Sequence, residues 1–220
     1  MPTLVTSVQT AWTGGASLTS PSLTVDAGDV LLVAAATGSK STSLSTPTAT
    51  GLTFTLVKSA SAASNAAAYV WRATASATAT LTVGVARSAG SSSWGFSVLQ
   101  YRGAQVGASA STTATSAPSL AVTTTAAGSH LVWVHGDWAG VSGTPTWRTV
   151  SSVSAVPIAN GTTVASTRFY VGTWSGVGAI GSKTAGVSAP SGQTWAGVVV
   201  EVVPPTAASG SASGTYNYAG

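Results

Sequence analysis

The sequence predicts an all-β protein built from two tandem antiparallel β-sandwich modules, jelly-roll or Ig-like, that arose by internal duplication. Charged residues make up only 5% of the 220 residues, and the good helix formers Lys and Glu are scarce beside Val, Thr, Ser and Gly. About seven short apolar or alternating runs fall within roughly 100 residues, with Gly, Ser and Pro between them, the pattern of a sandwich or barrel. A set of segments also returns in the same order in the second half, as a duplication requires.

In the first copy, Thr3–Val8 opens as a β-rich run. Ser22–Val25 alternates apolar and polar residues, as a half-buried strand does, and Val30–Ala35 is continuously apolar, as a central strand is. Leu52–Val57, Ala68–Arg72, Ala79–Val85 and Trp94–Tyr101 complete about seven strands. The second copy offers Ser119–Thr123, His130–His135, Thr146–Val153, Arg168–Trp174, Thr184–Val187 and Thr194–Val203. Asp29 matches His130, Tyr69 matches Tyr170 and Trp94 matches Trp195, each at an offset of 101, while Phe54 and Trp147 pair at an offset of 93. These readings give module 1 at 1–104 and module 2 at 105–204. Residues 103–117, which are Gly/Ala/Ser/Thr-rich, read as the linker, and 205–220 as a tail. A single large sandwich in which the copies interlock is the alternative, since all-β domains of this length occur. In the tail, Pro204-Pro205 stops the last strand, a spacer of small residues follows, and Tyr216 and Tyr218 close it. The spacer has little surface to bury, so residues 206–220 are expected to lie against a neighbouring subunit or the shell beneath, with at least one tyrosine in a pocket.

Few groups can do chemistry. There is no cysteine, and eight Lys and Arg stand against four acids, for a net charge of +4. The basic residues are scattered singly, without the patch or stripe of a nucleic-acid binder. No apolar run reaches the length of a membrane span, and the N-terminus lacks the basic and apolar regions of a signal peptide. Asp26-Ala-Gly-Asp29 reads as a tight turn rather than a calcium loop, which wants more oxygen ligands. His130 and His135 are five apart and face opposite sides of a strand. His135 and Asp137 share a face and suggest a Ser/His/Asp arrangement, but no G-x-S-x-G elbow supports it, and a strand end with a polar turn is the favoured reading. Glu201, at the position of Gln100, is expected to face solvent. No phosphate loop, dinucleotide fingerprint or metal spacing is present. The reading is a non-enzyme with no catalytic residue, cofactor or metal.

The aromatic residues carry the remaining information. Trp94 and Trp195, Phe54 and Trp147, and Tyr69 and Tyr170 are assigned to the cores of the two modules, where large rings bury most apolar area. Trp138, matched to Thr37 and set in a Gly-rich loop, and Trp12, beside Gly14-Gly15, are the candidate surface contacts, together with Tyr216 and Tyr218.

The run Gly28-Asp-Val-Leu-Leu-Val, then Gly51-Leu-Thr-Phe-Thr-Leu-Val, Tyr69-Val-Trp-Arg and Ser93-Trp-Gly-Phe-Ser-Val-Leu-Gln-Tyr-Arg-Gly resembles a module of virion proteins from actinobacterial phages, a group labelled minor tail, fibre or capsid-decoration proteins. The likeness extends over residues 20–204. The second copy departs from it at the end, with Glu201-Val-Val-Pro in place of Gln100-Tyr-Arg-Gly. The resemblance implies a structural role in the virion, most simply capsid decoration. It also implies assembly in the host cytoplasm and contact with the major capsid protein or other virion subunits, as a homo-oligomer in the particle. A tail fibre or tip adhesin binding host carbohydrate is the alternative. Neither reading involves nucleic acid or a membrane.

Overall fold

The computed structural model describes residues 1–39, 41–61, 66–90, 92–164 and 167–206. Among them run eighteen strands. In the first copy these are β1 (Thr3–Gln9), β2 (Ser17–Thr19), β3 (Leu23–Val25), β4 (Val30–Thr37), β5 (Ser43–Leu44), β6 (Thr55–Ser61), β7 (Ala67–Thr74), β8 (Ala79–Leu81), β9 (Gly84–Ala89) and β10 (Trp94–Arg102). The second copy contributes β11 (Gln105–Ser116), β12 (Ser119–Thr124), β13 (His130–Asp137), β14 (Thr146–Trp147), β15 (Val156–Val164), β16 (Thr167–Trp174), β17 (Gly181–Ala189) and β18 (Gln193–Val203). No helix among the described residues is long and apolar enough to cross a membrane.

Each copy has a five-stranded sheet, in the order β1-β10-β4-β7-β6 or β11-β18-β13-β16-β15. The facing sheet is β12-β17-β14 in the second copy; in the first it is split into β2-β9-β5 and β3-β8. Across the split, the Ser20 N–H donates to Val83 O while Ser20 Oγ accepts from the Val83 N–H, so the two pieces form one interrupted ladder. Counted this way, each copy has eight strands with jelly-roll neighbours, the fifth strand attached to the larger sheet.

The two sandwiches lie back to back. Along β4, Leu31, Val33 and Ala35 belong to the core of the first sandwich, while Leu32, Ala34 and Ala36 enter a separate core shared with Val132, Val134, Val198 and Val200 of the second. Burial on both faces is why this strand and β13 are apolar without alternation. The seam is lined with Ala, Val and Gly, which lets the sheets approach closely. A Cβ on Gly136 would lie 2.7 Å from Thr37 O across it. The pairs of strands that meet (β6 with β11, β1 with β15, β7 with β18, β10 with β16, β4 with β13) interchange when the copies are exchanged. The molecule thus has an internal pseudo-two-fold axis.

The register corrects three readings. Residues 105–116 are not a linker. They form β11, which pairs with β18 as β1 pairs with β10, and only Gly103 and Ala104 separate β10 from β11. Leu31 pairs with Gln100 and Leu131 with Glu201, so Val30 corresponds to His130 and Asp29 to Ser129. Trp147 pairs with Val187 in the place where Leu44 pairs with Arg87, so its counterpart is Leu44. Phe54 instead corresponds to Ala155, because the Ala49–Leu52 bridge just before it matches the Val150–Val153 bridge. The expected equivalence of Trp94 and Trp195 is present: they pair with Thr37 and Asp137 at matching positions, and both are buried. Tyr69 and Tyr170 correspond likewise, pairing with Ala35 and His135.

Candidate functional site

Polar groups gather where the turn before the central strand meets the last strand of each copy. In the first copy this is the expected Asp26–Asp29 turn, with Gly28 at φ +88°. Asp29 Oδ2 accepts from the Asp26 N–H at 2.9 Å and from Gln100 Nε2 at 2.6 Å, and Oδ1 accepts from Arg102 Nε at 2.9 Å. Arg102 also pairs with Asp26. Burial pushes the Asp29 carboxyl up, but the hydrogen bonds from Arg102, Asp26 and Gln100 outweigh it and hold the group below its ordinary value.

The second copy moves the carboxylate from the turn to the strand. Glu201 is fully buried, against the expectation that it faces solvent. Its Oε1 accepts from the Thr125 N–H at 2.7 Å, the Ala126 N–H at 3.2 Å and Ser129 Oγ at 2.6 Å. Its Oε2 accepts from the Ala108 N–H at 2.9 Å and Thr125 Oγ1 at 2.8 Å. Burial alone would raise its pKa; these donors, Ser129 first among them, bring it below the ordinary value. Acid and partner have changed places between the copies: Asp29 with Gln100 in one, Ser129 with Glu201 in the other.

His135 lies on the inner face of the second sandwich. Its Nδ1 accepts from Trp133 Nε1 at 2.7 Å, Nε2 faces Gln193 Oε1 at 3.3 Å, and the ring stacks on Tyr170 at 4.2 Å. Both nitrogens are therefore taken, the proton sits on Nε2, and burial brings the pKa down to about 3. Asp137 is also buried; its carboxylate accepts from the N–H groups of Ala139 and Val141 and caps the loop that follows. Burial raises its pKa, and these bonds only partly offset the shift. Among the described residues no serine is hydrogen-bonded to His135, so the Ser/His/Asp arrangement is not assembled among them. His130 faces the opposite way, into the seam, where it meets Tyr101 edge-on at 5.7 Å. Its Nδ1 is buried without a partner among the described residues, and burial, then the N-terminal ammonium, lowers its pKa. Among the described residues no three His, Asp or Glu come together as metal ligands.

The candidate contacts divide. Trp138, which follows the counterpart of Thr37 and so matches Gly38, is 43% exposed. Trp12 is not a surface contact: it is buried in the seam, stacked on Phe169 at 5.1 Å, with Nε1 donating to Thr167 Oγ1 at 3.0 Å. Tyr216 and Tyr218 lie outside the described residues. Of the residues assigned to the core, Trp94, Trp195, Phe54 and Tyr170 are buried, while Tyr69 and Trp147 are half-buried.

No family model, curated protein or solved structure matches this chain. The functional reading therefore rests on its own geometry and on the motifs quoted above.

Proposed function

We propose that this chain is a non-enzymatic structural protein of a bacteriophage virion that decorates the capsid, attached to the major capsid protein or other virion subunits and present as a homo-oligomer in the particle. The observation that carries the reading is where the few ionisable groups are spent. Asp29, Glu201, Asp137 and His135 are buried and bonded to turns and strands of their own fold. What remains outside is a hydroxyl-rich surface with singly placed basic side chains such as Lys58, Arg72 and Arg102, on two jelly rolls joined back to back, suited mainly to contacts that salt screens little. Jelly rolls recur in viral capsids and lectins, which supports the reading by analogy of fold. Mass spectrometry of purified virions should find the chain in tens to hundreds of copies per particle, and its absence from virions overturns the proposal.

The exposure of Trp138 favours a second reading, a tail fibre or tip adhesin that stacks this indole on host-surface carbohydrate. A glycan array probed with the purified chain tests it. Binding lost in Trp138→Ala supports the adhesin, and no binding removes it.

A further inference from the structure

The seam between the two five-stranded sheets has two ends that exchange under the pseudo-two-fold axis, and they are closed differently. At one end the Tyr101 hydroxyl is hydrogen-bonded to Thr173 Oγ1 at 2.9 Å. At the other, the register places Val202 where Tyr101 would be and Arg72 in place of Thr173. The phenol ring that fills the first end has no counterpart at the second. A groove of about 300 Å³ remains there, lined by Leu56, Val57, Arg72, Val106 and Ser109. Leu56 is 49% exposed, and the exposed Arg72 side chain has no partner among the described residues. The groove thus offers apolar surface and an unpaired guanidinium at the place where its symmetry mate holds a phenol.

The chain itself carries such phenol rings. Its described part ends at Thr206, whose Oγ1 lies 3.5 Å from Gln105 Nε2, one residue before Val106 of the groove. Residues 207–215 have no large side chain, and Tyr216 and Tyr218 follow two apart, a spacing that would place both on one face if the segment were extended. A spacer of this length and small-residue composition can span roughly 15–18 Å, enough to turn back to a groove beside its origin. The unpaired Arg72 suits a tyrosine face by cation–π attraction. Tethering gives the segment an effective concentration of order millimolar, so the chain's own tail outcompetes those of other copies in dilute solution. We propose that the groove receives the C-terminal segment of its own chain, the Tyr216–Tyr218 pair seated against Leu56 and Arg72. This occupant is the chain itself rather than the neighbouring subunit expected from the sequence, and it does not depend on the virion reading.

The absence of native cysteine makes a crosslinking test clean. In the full chain, Thr55→Cys on the groove rim is combined with Asn217→Cys, which leaves both tyrosines in place. The control pairs Asn217→Cys with Ser151→Cys, an exposed position on the outer side of the second sandwich. On mild oxidation the groove pair should form an intrachain disulfide about tenfold faster than the control. Adding Arg72→Ala or Tyr216→Ala/Tyr218→Ala should return the rate to the control value. Equal rates for the two pairs, or a disulfide-linked dimer as the main product, overturn the proposal, the latter by assigning the groove to a second copy. Hydrogen exchange on the cysteine-free chain gives an independent reading: residues 55–57 and 106–109 should lose protection in Tyr216→Ala/Tyr218→Ala. Unchanged protection counts against the proposal.

Discussion

Glu201→Gln separates a buried carboxylate that organises its surroundings from one that is merely tolerated. Five donors converge on the native side chain: three backbone N–H groups, from Ala108, Thr125 and Ala126, and the hydroxyls of Thr125 and Ser129. The hydroxyls can rotate toward other acceptors; the N–H groups cannot. Glutamine keeps one oxygen for Thr125 and Ala126 and turns its NH₂ toward the Ala108 N–H. An unmet buried donor costs about 1–3 kcal/mol, and the surviving bonds lose their charge assistance, so the expected loss is about 2–4 kcal/mol. Glu201→Ala strands all three N–H groups and should cost about 4 kcal/mol, with entering water limiting the loss. Guanidinium unfolding at pH 7 measures both, read as a shift in midpoint at constant slope. The pH dependence adds a signature. The folded pKa lies below the ordinary 4.5, so the stabilisation is complete above that pH and is lost as pH falls through the folded value. The gap between native and Glu201→Gln proteins should therefore narrow on acidification. A glutamine variant within about 0.5 kcal/mol of the native chain refutes the assignment, since that is the range of surface substitutions.

Other consequences can be measured directly. Gly136→Val drives a side chain into Thr37 O across the seam and should cost several kcal/mol, seen as a lowered Tm, whereas the same change at half-buried Gly15, where an added Cβ meets nothing closer than 3.6 Å, should cost far less. The folded pKa values of both histidines lie below the ordinary 6.5, so their neutral forms stabilise the fold above that pH and the contribution is lost as pH falls; stability should decline from pH 7 to pH 5, and less steeply in His130→Phe. NMR titration should find the His135 ring neutral throughout that range. Gly172→Ala places a methyl group against the Trp147 ring and should destabilise; adding Trp147→Leu, the residue type of the first copy, should recover part of the loss in a double-mutant cycle.

What could be read from the sequence follows from how strands are buried. The runs 30–35 and 130–135 announce central strands because an uninterrupted apolar run has no solvent face. The same rule applied to Val198-Val-Val-Glu-Val-Val203 places Glu201 inside, because a strand buried on both faces has no exposed position for a charge. β11 escaped because Gln105–Ser116 has no large apolar side chain; the repeat held the missing signal, since a first copy opening with β1 calls for a partner in the second. β15 was hidden by Pro157, tolerated there because β15 is an edge strand. The pairing of Phe54 with Trp147 failed because the connections differ in length: six positions separate Thr37 from Ser43 and nine separate Asp137 from Thr146. Trp12 reads as a loop residue beside two glycines, and only the arrival of Phe169 from the other copy makes its site an interior.

The pseudo-two-fold seam has a consequence for how the halves relate as molecules. A duplicated chain whose copies meet face to face has the arrangement of a symmetric dimer joined into one polypeptide, here through Gly103 and Ala104. The copies have since specialised toward each other. Gly136 makes room for Ala36 and Thr37, Phe169 receives Trp12, and Thr173 receives Tyr101, while the reciprocal positions hold Ala36, Ala68 and Arg72. Two first halves would bring Tyr101 against Arg72 and leave Trp12 facing Ala68; two second halves would meet without either ring. The original symmetry has become an obligate marriage of unlike halves, and a chain opened at the 103–104 connection would reassemble as a heterodimer, each half selecting the other over itself.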